Sequence, residues 1–454
     1  MTVQPGNPTE IDLLIHARWV IPVSGEQTVL DAHCVVINAG LIVEILPSDQ
    51  ALQLYRGRDE LELANHILMP GLINTHGHAA MSLLRGAADD MALHTWLHEY
   101  IWPLEERWVS EEFVYQGTQL AIAEMLLSGT TCFADMYFFP DAAARAAKEA
   151  GIRAQLAAPV LDFPTVWASD AEEYIRKATE LHDTYRNDPL ISVAFGPHAP
   201  YTVSDAPLRK IATLAEEMDV PIHIHVHETA LEVADAVAAS GKRPLQRLAD
   251  LGLISPRLLC IHATQLTDDE IALLAESGAS VVHCPESNLK LASGFCPIGK
   301  LAKAGVNIAL GTDGPASNND LDMFSEMHTA ALLAKAVAGD ASVIPAWQAL
   351  RIATINGAKA LGLDDRIGSL EAGKFADIVA VDMQAINAIP VYQPLSHLAY
   401  STSSSQVSHV WVAGRLLVDN RQLITLNLDS LRAQTSAWQR RIQCGADNSN
   451  RTPT

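Results

Sequence analysis

The segment between Met69 and Leu361 repeats one pattern eight times, and this repetition constrains the fold more than any other feature. Each repeat contains a short apolar run that is typical of a buried strand. Segments with apolar residues three and four positions apart, as in amphipathic helices, separate the runs. The eight runs cover 69–78, 129–137, 152–160, 191–200, 221–228, 258–264, 280–286 and 307–314. The alternation predicts an α/β fold, either a closed (β/α)8 barrel of the TIM type or a doubly wound open sheet.

Polar residues at the carboxyl ends of the predicted strands favour the barrel. They are His76, His78, Asp135, His198, His225, Glu228, His262, His283 and Asp313. Any single histidine among them can be explained as a core residue that bonds to the backbone, but that explanation does not suit the whole set. Only a closed barrel brings the ends of its first, fifth, sixth and eighth strands together, so we expect one shared site on that face.

The two ends of the chain differ from the barrel repeats. Residues 10–48 and 369–425 carry strand patterns with Asn-Ala-Gly and Val-Ala-Gly turns and little helical periodicity. They predict a small composite β-sandwich with a structural role. The predicted domains are 1–68 for its N-terminal part, 69–368 for the barrel, and 369–443 for its C-terminal part and the final segment. The polar tail 444–454 lacks periodicity, and we expect it to be disordered.

Composition and charge exclude several classes of partner. The chain has 454 residues, of which 53 are acidic and 31 basic, and its net charge of −22 would repel nucleic acids and anionic membranes. No apolar run reaches the roughly 18 residues that a membrane span needs, and the first ten residues do not resemble a signal peptide. We therefore expect a cytoplasmic protein with a small-molecule substrate. Its oligomeric state stays open, although a homo-oligomer is compatible with an apolar barrel surface.

Two histidine-containing motifs predict a metal site. His76 and His78 lie two positions apart on a predicted strand, so their side chains share one face and can bind the same ion. The run at 221–228 ends in Glu228 and leaves open which of its histidines is a ligand. Its three candidates on one predicted face are His223, His225 and His227. Asp313 could complete a set of three imidazoles and one carboxylate, which suits Zn²⁺ or Fe²⁺ better than Mg²⁺ or Ca²⁺.

Further motifs extend over nearly the whole chain. They include PGLINTHGH, MSLLRGAADD, WLHEYIWPLEERW, FADMYF, GPHAPYT, HIHVHETA, CIHATQL, VVHCPESNLKLASG, LGTDGPASNN and GSLEAGKFADIV. In these motifs the chain resembles the amidohydrolase superfamily, and within it the branch of 5′-methylthioadenosine/S-adenosylhomocysteine deaminases. The resemblance implies a barrel with a composite β-sandwich and the activity of a metal-dependent hydrolytic deaminase, an enzyme that acts on C–N bonds of cyclic amidines.

The resemblance also implies roles for individual residues. The four implied metal ligands are His76, His78, His225 and Asp313, holding one divalent ion, with zinc preferred and ferrous iron as the alternative. Glu228 would be the general acid/base, and both Glu228 and Asp313 would contact the substrate. His262 would orient or polarise the metal-bound water. His198 would contact the purine, and Glu105 would accept hydrogen bonds from the ribose hydroxyls.

The implied reaction is attack of metal-bound hydroxide on C6 of a purine nucleoside, followed by loss of ammonia. Glu228 would protonate the adjacent ring nitrogen, Asp313 would pass the proton of the water to the leaving amine, and His262 would stabilise the adduct. The fourth predicted strand lacks the lysine that bridges two ions in two-metal relatives. A single metal is therefore expected.

The predicted loop after the third strand bears on the substrate. Relatives that accept S-adenosylhomocysteine have arginines there for its carboxylate, whereas residues 155–169 contain none and Ala158 aligns with one of them. We therefore expect 5′-methylthioadenosine as the substrate, then adenosine, with S-adenosylhomocysteine below both. A deaminase or chlorohydrolase of guanine, an oxidised purine or an s-triazine remains an alternative, as does a non-catalytic binding protein. The roles of Asp135 and His283 stay open.

Overall fold

The computed structural model describes residues 8–449, which form two β-sheets and their connecting helices. The strands are β1 Thr9–Val20, β2 Leu30–Asn38, β3 Leu41–Pro47, β4 Tyr55–Pro70, β5 Leu72–Asn74, β6 Thr130–Asp135, β7 Arg153–Val160, β8 Ile191–Pro197, β9 Ile222–Val226, β10 Leu258–His262, β11 Ser280–His283, β12 Asn307–Leu310, β13 Ile378–Asp382, β14 Val407–Val412, β15 Arg415–Asp419 and β16 Gln422–Leu423.

The helices are α1 Ser48–Leu54, α2 Leu93–Thr95, α3 Trp102–Trp108, α4 Glu111–Leu127, α5 Pro140–Ala150, α6 Ala171–Tyr185, α7 Asp205–Met218, α8 Ala230–Ser240, α9 Pro244–Asp250, α10 Asp268–Ser277, α11 Pro285–Lys290, α12 Ile298–Ala304, α13 Met323–Ala338, α14 Ala346–Ile352, α15 Ile355–Ala360, α16 Pro394–Tyr400 and α17 Leu428–Ser449. A π-helical turn, Trp96–Ile101, joins α2 to α3. None of the described helices is long and apolar enough to cross a membrane.

Strands β5 to β12 form the predicted parallel barrel, and each lies within one of the eight apolar runs. The strands follow one another in the sheet in the same order as in the chain. This rules out the doubly wound alternative, because in that topology the strand order reverses in the middle of the sheet. The first and eighth strands meet where the Thr75 amide donates to the Leu310 carbonyl over 2.9 Å. A second bond, from the Asp313 amide to the His76 carbonyl, measures 3.0 Å. The barrel prediction is therefore confirmed.

Helix α5 shows why the sequence between strands forms crossover helices. Pro140 opens the helix in its first turn, where its missing N–H costs nothing. Gly151 ends it in the left-handed conformation, with φ of 84°, which an L-residue rarely adopts. Six alanines of the helix are buried, so its small apolar face packs closely on the barrel.

The other sheet combines strands from both ends of the chain, as predicted. Its strand order is β16-β15-β14-β13-β4-β1-β2-β3. Strand β4 connects the two halves, pairing in parallel with β1 and antiparallel with β13, where Leu68 lies opposite Ala380. The exact domain boundaries stay a prediction.

A buried ion pair ties the barrel to this second sheet. Nε of Arg153 in β7 lies 3.1 Å from Oδ2 of Asp377, which directly precedes β13, and both side chains are at most 3% exposed. Asp377 also accepts a 2.7 Å hydrogen bond from the amide of Ala413. Arg153 donates from Nη1 to the carbonyl of Pro189 over 2.6 Å and stacks over the ring of Phe375. Both charges are thus paired and hydrogen-bonded.

The end of the chain differs from the prediction of a disordered tail over 444–454. Helix α17 continues through 444–449, and 450–454 lie outside the described residues. Trp438 anchors this helix on α4, since its Nε1 donates to Oε1 of Gln116 over 2.7 Å and its ring packs edge-on against Phe113. Polar composition suggested disorder, but extending an anchored helix needs only further backbone hydrogen bonds.

Candidate metal centre and active site

Four side chains from three strand ends converge at the carboxyl face of the barrel. His76 and His78 follow β5, His225 lies in β9, and Asp313 follows β12. Nε2 of His76 lies 3.1 Å from Oδ1 of Asp313 and 3.2 Å from Nε2 of His225. Nε2 of His78 lies 3.3 Å from the same carboxylate oxygen. Barrel closure thus creates a compact cluster from residues that are far apart in sequence.

Backbone and amide oxygens fix the orientation of three site histidines. Nδ1 of His78 lies 2.7 Å from the carbonyl of Met136, and Nδ1 of His225 lies 2.8 Å from the carbonyl of His198. Nδ1 of His262 lies 2.9 Å from Oδ1 of Asn288. Because these oxygens only accept, each Nδ1 carries the proton, and in the neutral ring Nε2 keeps a free lone pair.

Two serine hydroxyls hold the carboxylate of Asp313. Ser287 and Ser317 donate to Oδ2 over 2.6 and 2.8 Å, which leaves Oδ1 facing the histidines. Burial would raise the pKa of Asp313, but the neighbouring imidazoles of His76 and His78 outweigh it and hold the pKa well below its usual value. Asp313 is therefore a carboxylate at neutral pH.

The prediction that His223, His225 and His227 share one face is wrong for His227. Strand β9 ends at Val226, and the backbone of His227 turns into the left-handed region with φ of 56°. Its Nε2 therefore accepts a 3.2 Å hydrogen bond from the amide of Leu245 in α9, away from the cluster. His223 does lie beside His76, with Nε2 2.8 Å from Nδ1 of His76.

The donor set of the cluster fits one divalent metal ion. Possible ligand atoms of His76, His78 and His225 all lie within 4.8 Å of one another, and so do those of His76, His262 and Asp313. Imidazoles with free Nε2 lone pairs and one carboxylate are typical of zinc sites. The predicted fourth strand, β8, carries no lysine that could bridge a second ion.

Glu228 and His262 lie beside this cluster. Oε2 of Glu228 is 3.8 Å from Nε2 of His262, and burial raises the pKa of the Glu228 carboxyl. The backbone of Glu228 is held from two sides. Its amide donates to Oε2 of Glu232 over 2.7 Å, while its carbonyl accepts a 2.7 Å hydrogen bond from Thr264. The other oxygen of Glu232 accepts from the amide of His227 over 2.9 Å, so one carboxylate clamps the turn that presents Glu228.

A cavity of about 680 Å³ extends outward from the cluster. Glu105 contributes a buried carboxyl that accepts a 2.7 Å hydrogen bond from the Tyr137 hydroxyl, and burial raises its pKa to about 7. His198 also lines the cavity, and its Nδ1 lies 3.0 Å from Oγ1 of Thr202. Burial lowers the pKa of His198 to about 4, so this imidazole is neutral at physiological pH. The cavity thus combines acidic and neutral hydrogen-bonding groups.

Much of the cavity wall is apolar. Its apolar side chains include Leu93, Trp96, Leu97, Trp102, Phe138, Leu161, Phe163 and Val166. Among the described residues that line it, none is lysine or arginine. Ala158 in β7 does not line the cavity, whereas Pro159 and Leu161 do. A ligand in the cavity therefore meets mostly hydrophobic surface and neither a lysine nor an arginine among the described lining residues.

The two residues whose roles the sequence left open have different surroundings. Asp135 is buried and accepts a 2.7 Å hydrogen bond from the amide of Ala79, which begins the 3₁₀ turn after His78. Asp135 therefore supports the loop that carries a site histidine. His283 is buried at the end of β11, and its Nδ1 has no hydrogen-bond partner in the described part of the chain.

Sequence reasoning did not identify Tyr137 or Glu232. No regular spacing in the sequence marks Tyr137 as a site residue, because its contact with Glu105 joins two different loops. Glu232 had one usable signal, since it follows Thr229 by three positions at the start of α8, as in a capping box. Its side chain accepts hydrogen bonds from the backbone amides of His227 and Glu228 rather than from the amide of Thr229.

Comparison with known proteins identifies the family of this chain. A model of the amidohydrolase family matches residues 67–417. A protein of Teredinibacter turnerae named 5-methylthioadenosine/S-adenosylhomocysteine deaminase is 55% identical over 436 residues, covering 96% of this chain and 99% of that one. A protein of Saccharophagus degradans with the same name is 54% identical over 437 residues, covering 96% and 98%.

Solved structures are similar over nearly the same length. An adenosine deaminase from Xanthomonas campestris with bound zinc has 52% identity and a TM-score of 0.95, covering 96% of this chain and all of that one. Escherichia coli guanine deaminase, at 23% identity with a TM-score of 0.83 over 90% of this chain, shows likeness of fold alone. The family match, which spans most of the chain, and these relatives show that the chain belongs to the amidohydrolase family.

Proposed function

We propose that this protein is a metal-dependent hydrolytic deaminase of purine nucleosides, with 5′-methylthioadenosine as its main substrate and adenosine as the second. The observation that carries the proposal is the arrangement of one cavity. The cavity is lined by His78, His225 and Asp313 of the histidine and carboxylate cluster and by the buried Glu228, and Glu105 provides a separate carboxyl in the same cavity. The names of the Teredinibacter and Xanthomonas relatives support nucleoside deamination.

His76, His78, His225 and Asp313 would hold the ion, which we infer to be zinc. A divalent ion there supplies Lewis acidity, which makes water a better nucleophile near neutral pH. The Glu228 carboxyl, whose pKa burial raises, can donate a proton to the purine ring nitrogen next to C6 as water adds. Asp313 is ionised and can move the proton of the water to the departing amine, while His262 can stabilise charge on the attacking oxygen.

The substrate assignment rests on the side chains that line the cavity. The carboxylate of Glu105 can accept hydrogen bonds from ribose hydroxyls, and His198 can contact the purine. A methylthio group matches the apolar surface, whereas the amino-acid carboxylate of S-adenosylhomocysteine would lack a positively charged partner among the described lining residues. The uncharged substituent is therefore favoured.

A substrate panel tests the proposal. Ammonia release would be measured with 5′-methylthioadenosine, adenosine, S-adenosylhomocysteine, guanine and an aminotriazine, using enzyme of known zinc content. We expect the highest kcat/KM for 5′-methylthioadenosine. No deamination of either of the first two nucleosides would overturn the assignment, and activity on guanine or the triazine alone would support the alternative heteroaromatic substrates.

The variant Glu105→Ala separates these alternatives. Guanine and triazines lack ribose, so this change should leave their turnover almost unaltered while it weakens nucleoside binding. A wild-type protein that retains no zinc after dialysis from zinc-containing buffer would instead favour the non-catalytic binding protein.

A further inference from the structure

His223 lies next to the candidate metal centre but is not one of its four inferred ligands. It occupies the middle of β9, two positions before His225, and its side chain has no exposed surface. Its Nε2 lies 2.8 Å from Nδ1 of His76, and the two ring centres are 5.0 Å apart. Two ring nitrogens at this distance form a hydrogen bond, in which one must carry a proton and the other a lone pair.

The position of His76 decides the direction of this bond when the ion is bound. Nε2 of His76 faces Asp313 and His225, so it is the nitrogen available for coordination. A coordinating nitrogen must be free of a proton. The proton of the neutral His76 ring is then on Nδ1, where His223 accepts it.

This arrangement differs from the other site histidines in one respect. The Nδ1 partners of His78, His225 and His262 are oxygens that only accept, and they permit one tautomer. An imidazole nitrogen can accept or donate. The pair can therefore also adopt the reverse arrangement, in which His223 donates to His76 and His76 donates from Nε2 to Oδ1 of Asp313. That second arrangement blocks coordination by His76.

The other nitrogen of His223 supports a role beyond packing. Nδ1 of His223 is buried and has no hydrogen-bond partner in the part of the chain that the structure describes. A buried polar group without a partner destabilises a protein, so an apolar side chain of similar size would satisfy packing better. What the imidazole of His223 provides here is therefore the hydrogen bond between its Nε2 and Nδ1 of His76.

We propose that His223 is a positioning residue that accepts the Nδ1 proton of His76 and so directs the Nε2 lone pair of His76 at the metal. The inference rests on the proposed metal-dependent function. Partners of this kind commonly change metal affinity by about 10- to 100-fold when they are removed.

The test compares two variants of similar side-chain volume. His223→Gln keeps an oxygen that can accept the proton, whereas His223→Met removes the acceptor. Zinc dissociation constants would be measured by competition with a chromogenic chelator. We expect His223→Met to raise the dissociation constant at least about 10-fold and His223→Gln to stay within a few-fold of wild type. The Co²⁺-substituted His223→Met protein should also show a shifted visible absorption spectrum.

A matched control is His283→Leu, which removes another buried imidazole with an unpartnered Nδ1 and no described bond to the four inferred ligands. Its zinc affinity should remain close to that of wild type. A His223→Met protein with wild-type zinc affinity and an unchanged Co²⁺ spectrum would overturn the inference, as would an equal loss in His283→Leu.

Folding of the variants does not limit the test. If neither His223 variant folds, ring ¹⁵N NMR of the zinc-loaded wild type decides, because a hydrogen bond between two imidazoles gives a nitrogen–nitrogen coupling. Presence of that coupling at His76 supports the inference and its absence overturns it. A wild-type protein that does not bind zinc would overturn the proposed function itself, whereas a zinc-dependent deaminase with unaffected variants would overturn only the role of His223.

Discussion

The hydroxyl of Tyr137 donates a 2.7 Å hydrogen bond to Oε1 of Glu105, and both side chains are buried at the wall of the substrate cavity. Burial raises the pKa of Glu105 to about 7, and this hydrogen bond opposes the increase. Tyr137 therefore influences whether Glu105 is charged near neutral pH. Since a charged acceptor binds hydroxyl groups more strongly, Tyr137 is coupled to nucleoside binding.

The variant Tyr137→Phe should weaken nucleoside binding with little effect on chemistry. It removes the hydrogen bond to Glu105, and we expect KM for 5′-methylthioadenosine to rise about 10-fold with kcat changed less than about 3-fold. Steady-state kinetics at constant zinc content measures both constants. A selective fall in kcat would contradict this role and point to a contact with the reacting atoms.

The pH dependence of kcat/KM should contain a contribution from Glu105. The pKa of about 7 applies to the free enzyme, so the ribose-binding carboxylate is present above that pH and lost as the pH falls through it. We expect kcat/KM for 5′-methylthioadenosine to rise as the pH is raised through about 7, where half of the Glu105 groups are ionised, and to level off about one pH unit above it. Glu105→Gln should remove this part of the profile, and an identical profile in that variant would exclude Glu105 as its source.

The variant Glu228→Gln should separate metal binding from catalysis. Glutamine cannot act as the general acid, while the proposed ligands are untouched, so turnover should fall at least about 100-fold at full zinc occupancy. Ammonia release and metal analysis on the same samples provide the measurements. Near-normal turnover would remove Glu228 from the proton-transfer step.

Glu232 should affect kcat through the turn that it clamps. Its two oxygens accept from the amides of His227 and Glu228. Glu232→Gln replaces one acceptor with an NH₂ group that faces an amide donor, so the Glu228 side chain should be less well positioned. We expect kcat to fall about 10-fold with KM and zinc content nearly unchanged. A larger effect on zinc content than on kcat would show that the clamp serves the metal ligands.

The ion pair between Arg153 and Asp377 should matter for stability rather than catalysis. Arg153→Met leaves a buried carboxylate without its partner, and we expect the free energy of unfolding to fall by about 3–5 kcal/mol. Adding Asp377→Asn removes that charge while keeping an acceptor for the Ala413 amide, and it should recover part of the loss. Urea unfolding of both variants measures this, and a double variant as unstable as the single one would contradict the explanation.

Much of the fold could be predicted because its signals are local. Each barrel strand is short and apolar, and the helix in each crossover carries its own period and caps, as α5 shows. Once the strands are known, barrel closure brings their ends together. The convergence of His76, His78, His225 and Asp313 follows from topology, and the family resemblance adds the individual roles.

The remaining features of the site depend on local geometry, which the spacing of residues in the sequence does not predict. Strict alternation along the strand would place His227 on the same face as His225. Strand β9, however, ends at Val226, and the backbone turns at His227. The contact of Tyr137 with Glu105 joins two loops whose relative positions no sequence period defines. The family resemblance places Ala158 near the substrate, whereas in the structure the neighbouring Pro159 lines the cavity and Ala158 does not.

The pairing of β4 with β13 has a consequence for synthesis of the chain. Leu68 and Ala380 lie side by side in the sheet, although the whole barrel separates them in sequence. On the ribosome, β4 therefore emerges long before its partner and keeps one edge without hydrogen bonds until the barrel has been translated. The barrel seam imposes the same delay on Thr75 and Leu310. A nascent chain can thus complete neither sheet early, and a message truncated before β13 yields a product with an open sheet edge, the kind of surface that chaperones and proteases recognise.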